Sequence, residues 1–331
     1  MAEAERDIRD LLARGRDYAG TGDSRAAASF FAAALRAAAA AAAAAGPLAP
    51  PLQAELDGAR AYLREAAAAY QAHLERSVAG AGAGPRLDEA LAMLLGRKPL
   101  HLPSVAYPQR PSLFHFPGLP QRPFYEREEF DWVHAIEAAT PPIRDEVEAL
   151  LARGADFRPY VEGEKDRPQA DFHGLQGDPS WTAFYLWKNG SLVEENAALC
   201  PRTAEAVRRV PLSAVGSRTP SVFFSLLRPG AHIPPHHGML NSRLICHLPL
   251  IVPPGGWLRV GGETRHWQEG RLLVFDDSIE HEARNPADAL RVVLIFDIWR
   301  PELSGAERRG VSAIFDAIDA YSPNAAPQQG A

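Results

Sequence analysis

Between residues 182 and 299 the chain repeats one theme: short runs of alternating apolar and polar residues, cut by turn-formers. The runs are Thr182–Lys188, Val222–Leu227, Leu244–Val252, Trp257–Val260, Thr264–Trp267, Arg271–Phe275, His281–Arg284 and Arg291–Trp299. Asn189-Gly190, Pro229-Gly230, Pro253-Pro254-Gly255-Gly256, Gly261-Gly262 and Glu269-Gly270 separate them. A side-chain period of two, bounded by residues that favour tight turns, predicts strands. Short strands at even spacing predict a sandwich or jelly roll. No strand–helix–strand pattern and no phosphate-binding glycine loop occur in the sequence.

Upstream the period is 3.6. Residues 1–80 are alanine-rich, with glycine or proline at each break, and are expected to be helical. Leu11, Gly15, Tyr18, Ala27, Phe31 and Ala34 match the small-and-large alternation of a tetratricopeptide hairpin. In that reading Gly15 permits close helix approach, and Tyr18 and Phe31 fill the groove. A second copy is only hinted at around Tyr62 and Tyr70. A plain alanine-rich hairpin and a peptide-binding repeat therefore both stay open. Residues 81–113, rich in Gly, Ala and Pro, are expected to be a linker with one short helix near Leu87–Leu95. A jelly-roll domain is expected over 114–303, opening with helices at Glu126–Ala138 and Ile143–Arg153. A C-terminal helix (Ala306–Ala317) and tail complete the chain over 304–331. The expected class is α+β.

The 331 residues suffice for one large domain and a small one. A net charge of −6 and a pI near 6.0 give no basic footprint, so nucleic acid is not an expected partner. Two cysteines, Cys200 and Cys246, make neither a disulfide framework nor a zinc cage, consistent with a reducing cytoplasm. The N-terminus lacks the apolar core of a signal peptide. The run Ala37–Ala45 is short of the roughly 20 residues that span a bilayer. The expectation is a soluble, cytoplasmic protein without a membrane partner.

Candidate chemistry gathers after residue 224. Six of the eleven histidines (232, 236, 237, 247, 266 and 281) follow residue 230. His236 stands behind two prolines, His281 behind a tight Asp277-Ser278 segment, and Arg291 opens an apolar strand. Two neutral imidazoles with open coordination positions suit Fe(II), and a guanidinium fork clamps a carboxylate at two points. This is the layout of a non-haem iron site with a place for an anionic co-substrate. Spacing alone leaves a structural role for the histidines open. Alternation places Arg291, Val293, Ile295 and Asp297 on one face. A buried arginine requires an anion, either a bound carboxylate or a protein acid such as Asp297. Ser225 and His247 alternate onto interior faces, as ligand contacts or as satisfied core polar groups. Asp276 and Asp277 are readable as turn residues or as an iron ligand. Gly238 occupies the position where a carboxylate ligand would be expected. A zinc hydrolase finds no His-Glu-x-x-His arrangement.

Several longer segments carry a specific resemblance. They are Phe116-Pro-Gly-Leu-Pro-Gln-Arg-Pro123, Glu194-Glu-Asn-Ala197, Arg228-Pro-Gly-Ala-His-Ile-Pro-Pro-His236-His-Gly238, Asn241-Ser-Arg-Leu244, Phe275-Asp-Asp-Ser-Ile-Glu-His281-Glu and Phe296-Asp-Ile-Trp-Arg-Pro-Glu302. In this order, over residues 114–303, the chain resembles the aspartyl/asparaginyl β-hydroxylases, which are Fe(II)- and 2-oxoglutarate-dependent dioxygenases. The resemblance implies a double-stranded β-helix, with His236 and His281 as iron ligands. Gly238 matches the glycine that replaces the third, carboxylate ligand in that family. Arg291 and Ser225 match positions that hold the distal carboxylate of 2-oxoglutarate, and His247 one that contacts its C1 end. Arg243 matches an arginine at the substrate. Where the animal members have a further arginine, this chain has Ile245, and of their paired cysteines only Cys200 has a counterpart. The helical region before the catalytic domain resembles their overall plan.

The implied reaction uses O2 and 2-oxoglutarate, releases succinate and CO2, and hydroxylates a substrate carbon. The first expectation is the β carbon of Asp or Asn in a peptide or protein. A free amino acid, a peptide natural product or an acyl chain are alternatives. Rival readings are a non-catalytic, cupin-like module that binds a small acid, and a scaffold with a vestigial barrel.

Overall fold

The computed structural model describes residues 2–80, 84–161 and 175–321. The 81–83 portion of the expected linker and the 322–331 tail lie outside the described residues. The described residues form two compact units, 2–80 with 314–321, and 84–313.

The first unit holds α1 (Ala2–Gly20), α2 (Ser24–Ala45) and α3 (Pro50–Val78). Asp23 caps α2 by accepting the Ala26 N–H at 2.9 Å, the expected chemistry of a helix start. Ile8, Leu12, Ala27, Phe31, Ala34, Leu52 and Leu56 form its core. A Cβ on Gly15 would come within 2.6 Å of the Phe31 ring, so the glycine permits the α1–α2 approach. Phe31 packs on Tyr62 of α3, whereas Tyr18 stacks on Phe30. Three helices thus share the core where the sequence reading sought a hairpin. The apolar stretch around Ala37–Ala45 belongs to a longer element than expected. α2 has 22 residues, and its length and composition would allow a bilayer crossing, while its Ala27–Ala38 face is buried among the helices.

The second unit runs through α4 (Pro85–Leu94), β1 (Phe124–Tyr125), α5 (Val133–Ala138), α6 (Thr140–Ala152), β2 (Arg158–Pro159), β3 (Trp181–Lys188), β4 (Ser191–Leu192), α7 (Glu194–Leu199) and α8 (Pro201–Arg208). It continues through β5 (Val222–Leu227), β6 (His232–His236), β7 (Arg243–Ile251), β8 (Trp257–Val260), β9 (Glu263–His266), β10 (Leu273–Phe275), β11 (His281–Arg284) and β12 (Arg291–Trp299). α9 (Gly305–Tyr321) follows; its residues from 314 group with the helical unit, where Ala317 O meets His73 Nε2 at 2.8 Å.

All strand pairs are antiparallel, in two sheets. The larger has the order β1-β10-β7-β12-β5-β3-β2, with β4 beside β3, and the smaller has the order β6-β11-β8-β9. From β5 to β12 the chain passes back and forth between them, the topology of a jelly roll. β5, β7 and β12 are buried on both faces, which explains their near-continuous apolar sequence. One face meets α5, α6 and α8 through Phe224, Leu244, Cys246, Leu294 and Phe296. The other meets the smaller sheet through Phe223, Ile245, Ile295, Ile233, Leu258 and Val260. Each fully buried Leu, Ile or Phe here contributes about 1.5–3 kcal/mol.

Part of the expected linker belongs to this unit. Gln109 is buried, and Phe114 bridges to Leu240. One polar network ties segments distant in sequence. Arg300 Nη1 pairs with Asp276 Oδ2 at 2.7 Å, with both side chains fully buried. Gln109 Nε2 donates to the same carboxylate oxygen at 2.7 Å, and Asn241 Nδ2 donates to Gln109 Oε1 at 2.9 Å. Asn241 Oδ1 accepts the Phe116 N–H at 2.6 Å. Asp276 also accepts the Ser278 N–H at 3.0 Å, so it caps the turn before β11 while anchoring Arg300.

Candidate active site

β6 and β11 pair so that His236 stands directly across from His281. The ring centroids are 4.0 Å apart, with planes tilted by 51°. Each ring is held through Nδ1 by a carbonyl two residues back: His236 by Pro234 O at 2.8 Å, His281 by Ile279 O at 3.1 Å. A carbonyl only accepts, so Nδ1 carries a proton in both rings and Nε2 is the nitrogen turned away from the anchor. Burial pushes His281 down to about 4, so it is neutral near pH 7. Two imidazoles side by side, each with Nδ1 turned to a carbonyl and Nε2 left as the metal-ligating nitrogen, fit a divalent iron.

Gly238 lies two residues beyond His236, and its N–H donates to Asp277 O at 2.6 Å. A Cβ built on Gly238 would overlap the Asp277 carboxylate. The space a side chain at 238 would need is therefore filled by a neighbouring acid. Asp277 Oδ2 pairs with Arg243 Nη2 at 2.9 Å, and Arg243 Nη1 pairs with Asp297 Oδ2 at 3.3 Å. Asp297 Oδ1 also accepts the Ser221 N–H at 2.8 Å. Burial opposes the Arg243 charge, but its two acids raise its pKa. Burial pushes Asp297 up to about 6 and raises Asp277 as well. Among the described residues, no three His, Cys, Asp or Glu side chains gather as a metal cage.

Arg291 is differently placed. It is 1% exposed, its Nη1 donates to Ser225 O at 3.2 Å and Oγ at 3.4 Å, and its guanidinium lies 4.7 Å from the Trp267 ring centre. No acid among the described residues pairs with it, Nε has no partner, and burial alone pulls its pKa down to about 9. The acid that sequence reading offered it, Asp297, belongs to Arg243. A buried guanidinium without a counter-ion, beside a serine hydroxyl, fits an incoming carboxylate. Trp267 Nε1 donates to His247 Nδ1 at 3.4 Å, which leaves the His247 proton on Nε2 as a donor. Burial, then the nearby Arg291 charge, drives His247 well below its usual pKa.

One cavity is lined by all six residues singled out from sequence: Ser225, His236, Arg243, His247, His281 and Arg291. Tyr160, Tyr185, Phe223, Ile245 and Ile295 supply apolar wall. Sequence reasoning missed Asp297 as the Arg243 partner, Asp277 as the group facing Gly238, and Trp267 beneath Arg291. Only the alternation of β12 signalled that Asp297 faces inward.

Residues 137–301 match the family model described as Aspartyl/Asparaginyl beta-hydroxylase. The chain belongs to the aspartyl/asparaginyl β-hydroxylase family. It is 35% identical over 226 residues to the aspartyl/asparaginyl beta-hydroxylase of Homo sapiens, covering 66% of this chain and 28% of that protein. It is 38% identical over 187 residues to the ornithine lipid ester-linked acyl 2-hydroxylase of Rhizobium tropici, covering 56% of this chain and 63% of that protein. The chain thus spans less than a third of the human relative's length. Among solved structures, a Pseudomonas putida prolyl-4-hydroxylase shares 17% identity over 49% of this chain and 88% of its own, at a TM-score of 0.30.

Proposed function

We propose that this member of the hydroxylase family is an Fe(II)- and 2-oxoglutarate-dependent dioxygenase that hydroxylates a carbon of an Asp or Asn side chain in a peptide. The observation that carries the reading is one cavity holding two facing imidazoles, each anchored through Nδ1, and a buried guanidinium that no acid among the described residues pairs with. His236 and His281 would hold iron. Arg291 and Ser225 would hold the distal carboxylate of 2-oxoglutarate, and the His247 Nε2 proton would meet its other end. Iron, when bound, supplies oxygen activation: O2, 2-oxoglutarate and a substrate C–H give succinate, CO2 and a C–OH, one oxygen atom going to each organic product. The chain's own work is positioning. Carbonyl-anchored Nδ1 atoms aim both Nε2 atoms, Trp267 bonds His247, and Tyr160, Phe223, Ile245 and Ile295 give the cavity an apolar wall. An acyl-chain substrate is the second reading, favoured by the apolar wall of Tyr160, Phe223, Ile245 and Ile295 and by the name of the Rhizobium tropici relative.

Calorimetric titration with redox-silent Mn(II) tests the assignment. The native chain should bind Mn(II), then 2-oxoglutarate; His236→Ala or His281→Ala should abolish the first step, and Arg291→Gln should weaken the second selectively. Undiminished 2-oxoglutarate binding by Arg291→Gln, or by metal-free protein, would sink it.

A further inference from the structure

We propose that Met239 is an oxidation site built into this cavity: when no substrate carbon is within reach, its thioether takes the oxygen atom that the reaction delivers. The inference rests on the dioxygenase reading above and adds a second acceptor to it. The sequence holds three methionines, Met1, Met93 and Met239. Met239 lines the cavity together with His236 and His281, and it is the one sulfur among the described lining residues. Both cysteines belong to the core on the helix-covered side of the larger sheet. Residue 239 stands three positions beyond His236, so its Cα lies within about 11 Å of the His236 Cα.

The backbone at this point is pinned. Ser112 N–H donates to Gly238 O at 2.9 Å, and Leu113 and Phe114 N–H donate to Met239 O at 3.1 and 3.0 Å. The Met239 residue is only partly buried, and an unbranched thioether with three rotatable bonds can swing while its Cα stays in place. The electron-rich rings on the wall are engaged with one another or with a cation. Tyr160 stacks on Trp181 at 4.0 Å, Phe223 flanks Tyr160 at 5.4 Å, and Lys188 sits over Tyr185 at 5.0 Å. Ile233, Ile245, Leu258 and Ile295 offer only C–H bonds. Sulfur is the easier acceptor, because it gives up a lone pair and no C–H bond has to break. O2, 2-oxoglutarate and the thioether then give succinate, CO2 and a sulfoxide. One oxygen atom enters succinate and the other bonds to Sδ; 2-oxoglutarate and sulfur each lose two electrons, and no proton is released. The product places a polar S=O on the cavity wall and is reversible by sulfoxide reductases.

The full chain, incubated with Fe(II), 2-oxoglutarate, ascorbate, catalase and isotope-labelled O2 but no peptide, tests this. Succinate and the masses of the fragments carrying residues 239 and 93 are followed together. Met93, on α4, is also partly buried and lies outside the cavity, so it reports diffusible oxidants. Met239 should gain one labelled oxygen at least about tenfold faster than Met93, and only with iron, O2 and 2-oxoglutarate all present. Delivery from one side makes a single sulfoxide epimer, so one of the two epimer-specific reductases should remove nearly all of it. His236→Ala should leave Met239 unmodified. Succinate release with Met239 unchanged, comparable oxidation of Met239 and Met93, or a mixture of both epimers overturns the proposal and leaves the dioxygenase reading standing. Absence of succinate from the iron-loaded chain would bring down that reading, and the inference with it.

Discussion

Arg291 is the residue whose surroundings are least complete. A buried guanidinium whose hydrogen bonds, among the described residues, go only to Ser225 is a charge waiting for a counter-ion. Arg291→Gln should raise the KM for 2-oxoglutarate by roughly ten- to hundredfold, the scale expected when a buried charged hydrogen-bond partner is lost. Arg291→Lys should recover only part, because an ammonium cannot reproduce the two-point fork. An unchanged KM in both would remove Arg291 from the co-substrate site. Asp297 gives a prediction in pH. Its folded pKa of about 6 lies above its ordinary 3.8, so the folded state holds the proton more tightly than the unfolded state. Its contribution is fully present below pH 3.8 and is lost as pH rises through 6. Urea midpoints should show native stability falling relative to Asp297→Asn across that window, by an amount on the order of 1–3 kcal/mol. A parallel pair of curves would contradict it. His236, His281 and Arg291 were legible because residue type, proline context and strand alternation each marked them. The Asp277–Arg243–Asp297 cluster was not, because it depends on which strands become neighbours.

At the scale of elements, the pairing of β6 with β11 makes the site. β6 escaped the sequence reading because Pro234-Pro235 looks like a turn. The fold tolerates the prolines by placing β6 at the edge of the smaller sheet, where one of them faces away from β11, and by a register shift between His281 and Ala283 opposite them. α7 and α8 escaped it too, being short helices interrupted at Cys200-Pro201. Strand ends elsewhere moved by a residue or two, as with β7 at Arg243–Ile251. Gly238 follows β6, and Gly238→Asp tests the two-histidine design. The new carboxylate would have to displace Asp277 from Arg243. It should destabilise the protein by about 1–3 kcal/mol and lower turnover. A sharp rise in activity would contradict the account. Gly15→Val should likewise destabilise the helical unit by about 1–3 kcal/mol, through its clash with Phe31; an unchanged thermal midpoint would contradict that.

For the whole molecule, the jelly roll was legible from turns alone, because a strand period interrupted by glycine and proline pairs admits few other architectures. What the pattern did not contain was the glue between segments. Residues 109–116 read as linker and domain entrance, yet Gln109 and Phe116 join the Asn241–Asp276–Arg300 network. Four of the six resemblance motifs meet at that network, through Phe116, Asn241, Asp276 and Arg300, and it holds the turn before β11 and thereby His281. Asp276→Ala would strand the fully buried Arg300 and should cost about 3–5 kcal/mol of stability, read as a lowered denaturation midpoint. The central claim, that this cavity couples 2-oxoglutarate breakdown to iron held by two histidines, is tested most directly by succinate formation. The native chain should release succinate from 2-oxoglutarate with Fe(II) and ascorbate, slowly even without substrate, and His236→Ala and His281→Ala should release none. Succinate at the native rate from either variant, or none from the iron-loaded native chain, would contradict it.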